Sequence, residues 1–161
     1  MERAFLLELV YPATSVQVPI EVSFRRAPKL CWVDTGLVNF TAKGTIAEQI
    51  VAQELRVLLN NAHIEHLNFW IRNKKGSNAE VDFIWQQGTH IIPIEVKSGT
   101  NAHLRSIQSF MDLSAGNTAV RIWSEKYSVD TARTPKGKSF KLLNIPFYYA
   151  GALPMLLGRE M

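Results

Sequence analysis

Between Ala79 and Gly99 the sequence AEVDFIWQQGTHIIPIEVKSG spaces its charged side chains by twos, with Glu80 and Asp82 before a polar turn and Glu95 and Lys97 after it. Extended backbone sends alternate side chains to opposite faces. Glu80, Asp82, Ile84 and Gln86 are therefore expected on one face of a first strand and Val81, Phe83 and Trp85 on the other. In a second strand Glu95 and Lys97 oppose Ile92, Ile94 and Val96. A turn centred near Gly88 and Thr89 sets Asp82 across from Glu95 and Glu80 across from Lys97. Three carboxylates and one ammonium then crowd one end of the hairpin. Carboxylates facing each other across a ladder repel, and burying them unpaired costs more. A divalent cation removes that cost, and Mg²⁺ takes carboxylate oxygens while keeping several waters. A lysine two residues beyond the glutamate shares its face, where it can hold a phosphate or activate a water. A solvated hairpin with an exposed Glu80–Lys97 ion pair is the plainer alternative.

The surrounding elements must bring further groups to that face. Thr45 to Ala62 is expected to be a helix, with Ala47, Ile50, Val51, Leu55, Leu58, Leu59 and Ala62 in an apolar stripe and Glu48 and Glu54 at its edges. Thr45 and Glu48 also have capping-box spacing, which would turn Glu48 back toward Thr45. Leu67 to Arg72 reads as a strand, leading through a basic turn to the hairpin. Arg72, Lys74 and Lys75 flank the acids there and are candidate contacts to a phosphate backbone. Ala102 to Leu113 reads as a helix carrying Gln108, and Thr118 to Trp123 as a strand. Ser124 to Lys141 is expected to be loop or ragged hairpin, and Leu142 to Leu157 a final apolar strand or helix. Its aromatic run Phe147, Tyr148, Tyr149 is assigned to the core. Near the start, residues 4 to 10 suggest the end of a helix, Val16 to Phe24 a weak strand and Leu30 to Val33 a short buried strand.

The chain of 161 residues, 47% hydrophobic and 20% charged, is long enough for one domain with its own core. Its formal net charge of +4 permits a polyanionic partner. Basic residues gather at Arg25, Arg26 and Lys29, at Arg72 to Lys75, and from Arg133 through Lys136, Lys138 and Lys141. A single cysteine, Cys31, rules out an internal disulfide and suits a reducing compartment, the cytoplasm. The apolar start is broken by Glu8 and too short to span a bilayer, so no membrane association is expected. His63 and His66 lack companion ligands for a metal. Asp34-Thr35-Gly36 after two apolar residues, with Leu156-Leu157-Gly158-Arg159, is similar to aspartic-protease elements. The intervening helical pattern does not suit such an all-β enzyme, and Asp34 reads better as a turn or cap residue.

Helix, three strands, helix and strand, with Glu48, Asp82, Glu95 and Lys97 in that order, resembles the PD-(D/E)xK nuclease superfamily. That resemblance implies an α/β fold, a restriction-endonuclease-like core with a central mixed sheet in αβββαβ order. It implies catalysis by Glu48, Asp82, Glu95 and Lys97, a further active-site role for Gln108, and Mg²⁺ or Mn²⁺ held by Asp82, Glu95 and Glu48. A closer likeness is to the C-terminal region of prokaryotic AAA-type ATPases, a family of unknown function. It rests on Pro28-Lys29-Leu30, Asp34-Thr35-Gly36-Leu37, the Glu48 helix, Glu80-Val81-Asp82-Phe83 and Ile94-Glu95-Val96-Lys97-Ser98-Gly99, and covers roughly residues 28 to 124. It implies a nuclease-like domain over residues 28–161, preceded at 1–27 by an extension read as the end of a winged-helix-like region. The expected partners are DNA, an ATPase domain in the full-length protein, and a second copy in a homo-oligomer. No phosphate-binding Gly-x-x-x-x-Gly-Lys-Ser/Thr loop occurs in this chain. The expected function is a metal-dependent DNA hydrolase; the alternative is a catalytically inactive module that recognises DNA or protein.

Overall fold

The computed structural model describes residues 7–34, 46–62, 66–74, 76, 78–99 and 103–161. Eight strands form one mixed sheet: β1 (Leu7–Ala13), β2 (Lys29–Trp32), β3 (Asn68–Ile71), β4 (Glu80–Gln87), β5 (His90–Lys97), β6 (Thr118–Trp123), β7 (Ser128–Arg133) and β8 (Ser139–Pro146). Their spatial order is β2-β1-β3-β4-β5-β6-β8-β7. Three described α-helices, α1 (Ile46–Ala62), α2 (Arg105–Met111) and α3 (Leu153–Glu160), accompany the sheet, with a 3-10 segment at Phe147–Ala152.

Two hydrophobic clusters divide the core. Val51, Ala52, Leu55 and Leu59 of α1 and Leu153, Leu156 and Leu157 of α3 pack with Phe83, Trp85, Ile92, Ile94, Val96, Ile122 and Ile145. Ile107, Phe110 and Met111 of α2 pack with Trp70, Val81, Ile84, Ile91, Ala119 and Leu142. The Trp70 and Phe110 rings meet edge to face at 5.2 Å. Where the chain leaves β4, Gly88 adopts a positive φ of 59° and turns directly into β5, so the β4–β5 hairpin forms as the alternation implied.

Several elements differ from the expectations. Residues 7 to 10 are strand, not helix: β1 pairs antiparallel with β2 and parallel with β3, so the sheet crosses the boundary expected at residue 27. Val16 to Phe24 forms no continuous strand; its one bridge joins Val22 to Ala13. The polar stretch after Trp123, open in sequence between loop and ragged hairpin, takes the hairpin form, with β7 antiparallel to β8. Tyr148 is 78% exposed, because the 3-10 segment turns it away from the core that Phe147 touches. Leu156 to Arg159 lie in helix α3, which removes the protease likeness.

Two lysines of the distal basic cluster prove to be anchors. Lys138 donates from Nζ to the Met111, Ser114 and Gly116 carbonyls, satisfying oxygens left open where α2 ends. Lys141 meets the Glu160 carbonyl and carboxylate. Lys138→Met keeps the aliphatic stem and strands those carbonyls, so chemical denaturation is expected to show a loss of about 2 kcal/mol.

Candidate active site

Helix α1 is seated against the sheet edge by polar contacts as well as by its apolar stripe. Gln49, 4% exposed, accepts the Trp32 N–H at 2.7 Å and donates to the Leu30 carbonyl at 3.0 Å, bonding β2 much as another strand would. Gln53 donates to the Val33 carbonyl, and Arg56 pairs with Glu8 of β1. These contacts bring Glu48, in the first turn of α1, beside Lys29 at the start of β2.

On the neighbouring strands the alternation of β4 is broken. Val81 and Ile84 join the α2-side cluster, whereas Phe83 and Trp85 join the α1-side cluster. The β3–β4 register shifts by one residue between Asn68↔Ile84 and Trp70↔Val81, the mark of a bulge in β4. The single-face expectation for Glu80 through Gln86, and for Val81 with Phe83 and Trp85, is corrected accordingly. Regular β4–β5 pairing runs from Gln87↔His90 to Phe83↔Ile94. Beyond it the Asp82 carboxylate accepts the Val96 N–H at 2.8 Å. Bulge and carboxylate together draw Asp82 onto the end of β5, next to Glu95.

Glu95 is 6% exposed. Its Oε1 accepts Lys97 Nζ at 2.6 Å, and its Oε2 is buried with no hydrogen-bond partner among the described residues. Burial and then the Asp82 charge push the Glu95 carboxyl up to about 7, against the opposing pull of Lys97 and Lys29. Asp82 is also raised, by burial that outweighs the Val96 N–H and the two lysines. Glu48 is raised by burial and the Asp82 charge, against Lys29. All three acids thus hold their negative charge at a cost.

Lys29 is the residue that sequence reasoning missed. Its Nζ lies 2.6 Å from Glu80 Oε1, 3.6 Å from Asp82 Oδ1 and 3.8 Å from Glu48 Oε2, and 4.9 Å from the Phe69 ring centroid. Burial alone would lower its pKa, but the Glu80 hydrogen bond and the Asp82, Glu80 and Glu48 charges raise it. Glu80 therefore pairs with Lys29, not with Lys97 as the idealised register implied. The available signal was a lysine opening a short buried strand directly after Pro28.

The remaining candidates divide. Glu48 faces Lys29 and Asp82; Thr45, its alternative capping partner, lies outside the described residues. Gln108 donates from Nε2 to the Arg133 carbonyl at 2.8 Å, an engagement outside the acidic cluster. Arg72 reaches Ser109 Oγ at 3.2 Å, Lys74 is exposed, and Lys75 lies outside the described residues. Arg26 joins that turn by donating to Asn73 Oδ1 at 3.0 Å. His66 is exposed, while His63 is also outside the described residues. Buried Cys31, its thiol pushed up to about 12 chiefly by burial, is no nucleophile.

Among the described residues, no three His, Cys, Asp or Glu side chains stand ready to hold a metal ion. Lys29 stands amid Glu48, Glu80 and Asp82. Asp82 and Glu95 nonetheless fit a hard divalent ion in donor type, and the orphaned Glu95 Oε2 is an oxygen that such an ion would satisfy.

Fold and site together define a mixed α/β protein whose sheet and first helix gather the buried Glu95, the half-buried Asp82, Glu48, Lys29 and Lys97, and the exposed Glu80 where the β4–β5 pairing ends. More particularly, the chain belongs to the family described as Domain of unknown function (DUF4143), whose model matches residues 43–148. The matched span carries Glu48, Asp82, Glu95 and Lys97; Lys29 precedes it. No curated protein matches the chain, and no solved structure does. No described helix is long and apolar enough to cross a membrane.

Proposed function

We propose that this chain is a metal-dependent phosphodiester hydrolase with a restriction-endonuclease-like core, acting on DNA. The observation that carries the reading is the meeting of Asp82, Glu95 and Lys97 at one end of the hairpin with Glu48 turned toward them. Asp82 and Glu95, joined by Glu48, are the oxygens that would hold Mg²⁺ or Mn²⁺, and Glu95 Oε2 has no competing partner among the described residues. When bound, the ion supplies Lewis-acid polarisation and neutralises charge on the phosphate.

The chain's own residues have separate tasks. Lys97 stabilises negative charge that develops on the phosphoryl oxygens, and Glu48 orients the attacking water. Water oxygen bonds to phosphorus, one ester oxygen leaves with a proton, and a phosphomonoester and an alcohol result. Arg72 and Lys74, with Arg26 beside them, follow the phosphate backbone. Gln108, held by Arg133, reaches substrate only if that bond opens. The setting that suits this activity is a cytoplasmic one, as the C-terminal part of a AAA-type ATPase that acts on DNA.

A second reading, a module that binds DNA without cutting it, draws on Lys29, which stands among the acids as a resident cation. Incubation with linear and branched DNA in Mg²⁺ or Mn²⁺ separates the two. Metal-dependent cleavage supports the hydrolase; intact DNA with salt-sensitive binding supports the module. Absence of both binding and cleavage defeats each of them. In either case Arg72→Ala with Lys74→Ala is expected to weaken DNA binding across sequences. The slope of log affinity against log salt should fall by about 2, measured by fluorescence anisotropy.

A further inference from the structure

The charged side chains around Asp82 carry a balance that a metal site alone does not explain. Glu48, Glu80, Asp82 and Glu95 bring four negative charges when ionised, and Lys29 and Lys97 bring two positive ones. The remaining charge of two is what one divalent ion neutralises. The two lysines are placed differently. Lys97 binds Glu95 from the same strand, whereas Lys29 comes from β2 and touches acids of both α1 and β4.

We infer that Lys29 is a built-in cation which holds the position of a second metal ion amid Glu48, Glu80 and Asp82, so that the site takes up one divalent ion fewer than its acids could bind. The inference rests on the metal-site reading above. Three oxygens within 4 Å of one ammonium are a ligand set already in use, and a half-buried ammonium there is not freely exchanged for water. The orphaned Glu95 Oε2 lies outside that set and stays open to an incoming ion. Lys29 is thus a positioning residue: it fixes Glu48 against the hairpin and sets the number of ions.

The test is titration of the full chain with Mn²⁺, followed by calorimetry and by the loss of the free-ion paramagnetic resonance signal. Lys29→Met removes the ammonium with little change in volume, and Lys29→Gln removes it while keeping a neutral polar head among the acids; circular dichroism checks that each folds. The wild type is expected to bind one Mn²⁺ and Lys29→Met two, with Lys29→Gln also taking up a second ion. A folded Lys29→Met that binds no more Mn²⁺ than the wild type overturns the inference. Where the wild type binds none and Lys29→Met binds one, Lys29 stands as the blocking cation while the native chain's metal-dependent activity fails. Where neither binds, both fail. Should Lys29→Met not fold, Lys29→Gln decides: uptake above wild type supports the inference, and unchanged uptake overturns it.

Discussion

Lys97→Met is expected to slow single-turnover cleavage of DNA at saturating Mg²⁺ by roughly a hundred- to a thousandfold, the usual effect of removing one preorganised stabiliser of developing charge. Methionine keeps the length of the chain and its packing while deleting the ammonium that Glu95 Oε1 accepts at 2.6 Å. The deletion adds one net negative charge to a cluster that already attracts cations, so metal affinity should hold or rise as the rate falls. That split distinguishes a group acting on the reaction from one that only supports the fold. A rate within threefold of wild type would remove Lys97 from the chemistry.

The second large effect concerns stability. In the folded chain the Glu95 carboxyl titrates at about 7, against 4.5 as its ordinary value. Between those values the folded state holds a proton that the unfolded state has released, so stability declines as pH rises through that window. Each pH unit costs at most about 1.4 kcal/mol, and the full penalty, on the order of 3 kcal/mol, is present above pH 7. The raised Asp82 and Glu48 act in the same direction. Without divalent ions, Glu95→Gln is therefore expected to match the wild type near pH 4.5 and to exceed it by about 3 kcal/mol at pH 8. Urea titrations at the two pH values measure this. Added Mn²⁺ should reverse the order, since the amide forgoes the anionic oxygen. Equal stability at pH 8 would show that Glu95 ionises without penalty and that the acids are not crowded.

How much of this was legible in the sequence depended on the range of the interactions. The β4–β5 hairpin and the shared face of Glu95 and Lys97 could be read because period-two alternation and a glycine turn are local signals. Helix α1 was legible for the same reason, its stripe repeating Val51, Leu55 and Leu59. Strand β1 was not, since a short apolar run looks alike in helix and strand. Its identity is decided by pairing with β3, 57 residues away at Tyr11↔Asn68. The bulge in β4 was also hidden: alternation alone puts Val81 with Phe83, and only the shifted pairing to Trp70 turns Val81 to the other face. Lys29 looked like one more surface base because the acids it meets are brought to it by two separate elements, α1 and β4. Gln108 had a plausible place on its helix, but its amide is used by Arg133 of β7, in a stretch whose polar sequence left loop and hairpin equally open.

The central claim is that the acids beside Lys97 form a hydrolytic site. Its most direct measurement is the cleavage of end-labelled DNA, duplex and branched, by the wild type and by Asp82→Asn, each in Mg²⁺, in Mn²⁺ and in chelator. Asparagine can still accept the Val96 N–H, so the fold is retained while the anionic oxygen is lost. The expected result is cleavage by the wild type in either metal, none in chelator, and at least a hundredfold less by Asp82→Asn. DNA left intact by the folded wild type in both metals, or cut equally well by Asp82→Asn, would contradict the claim.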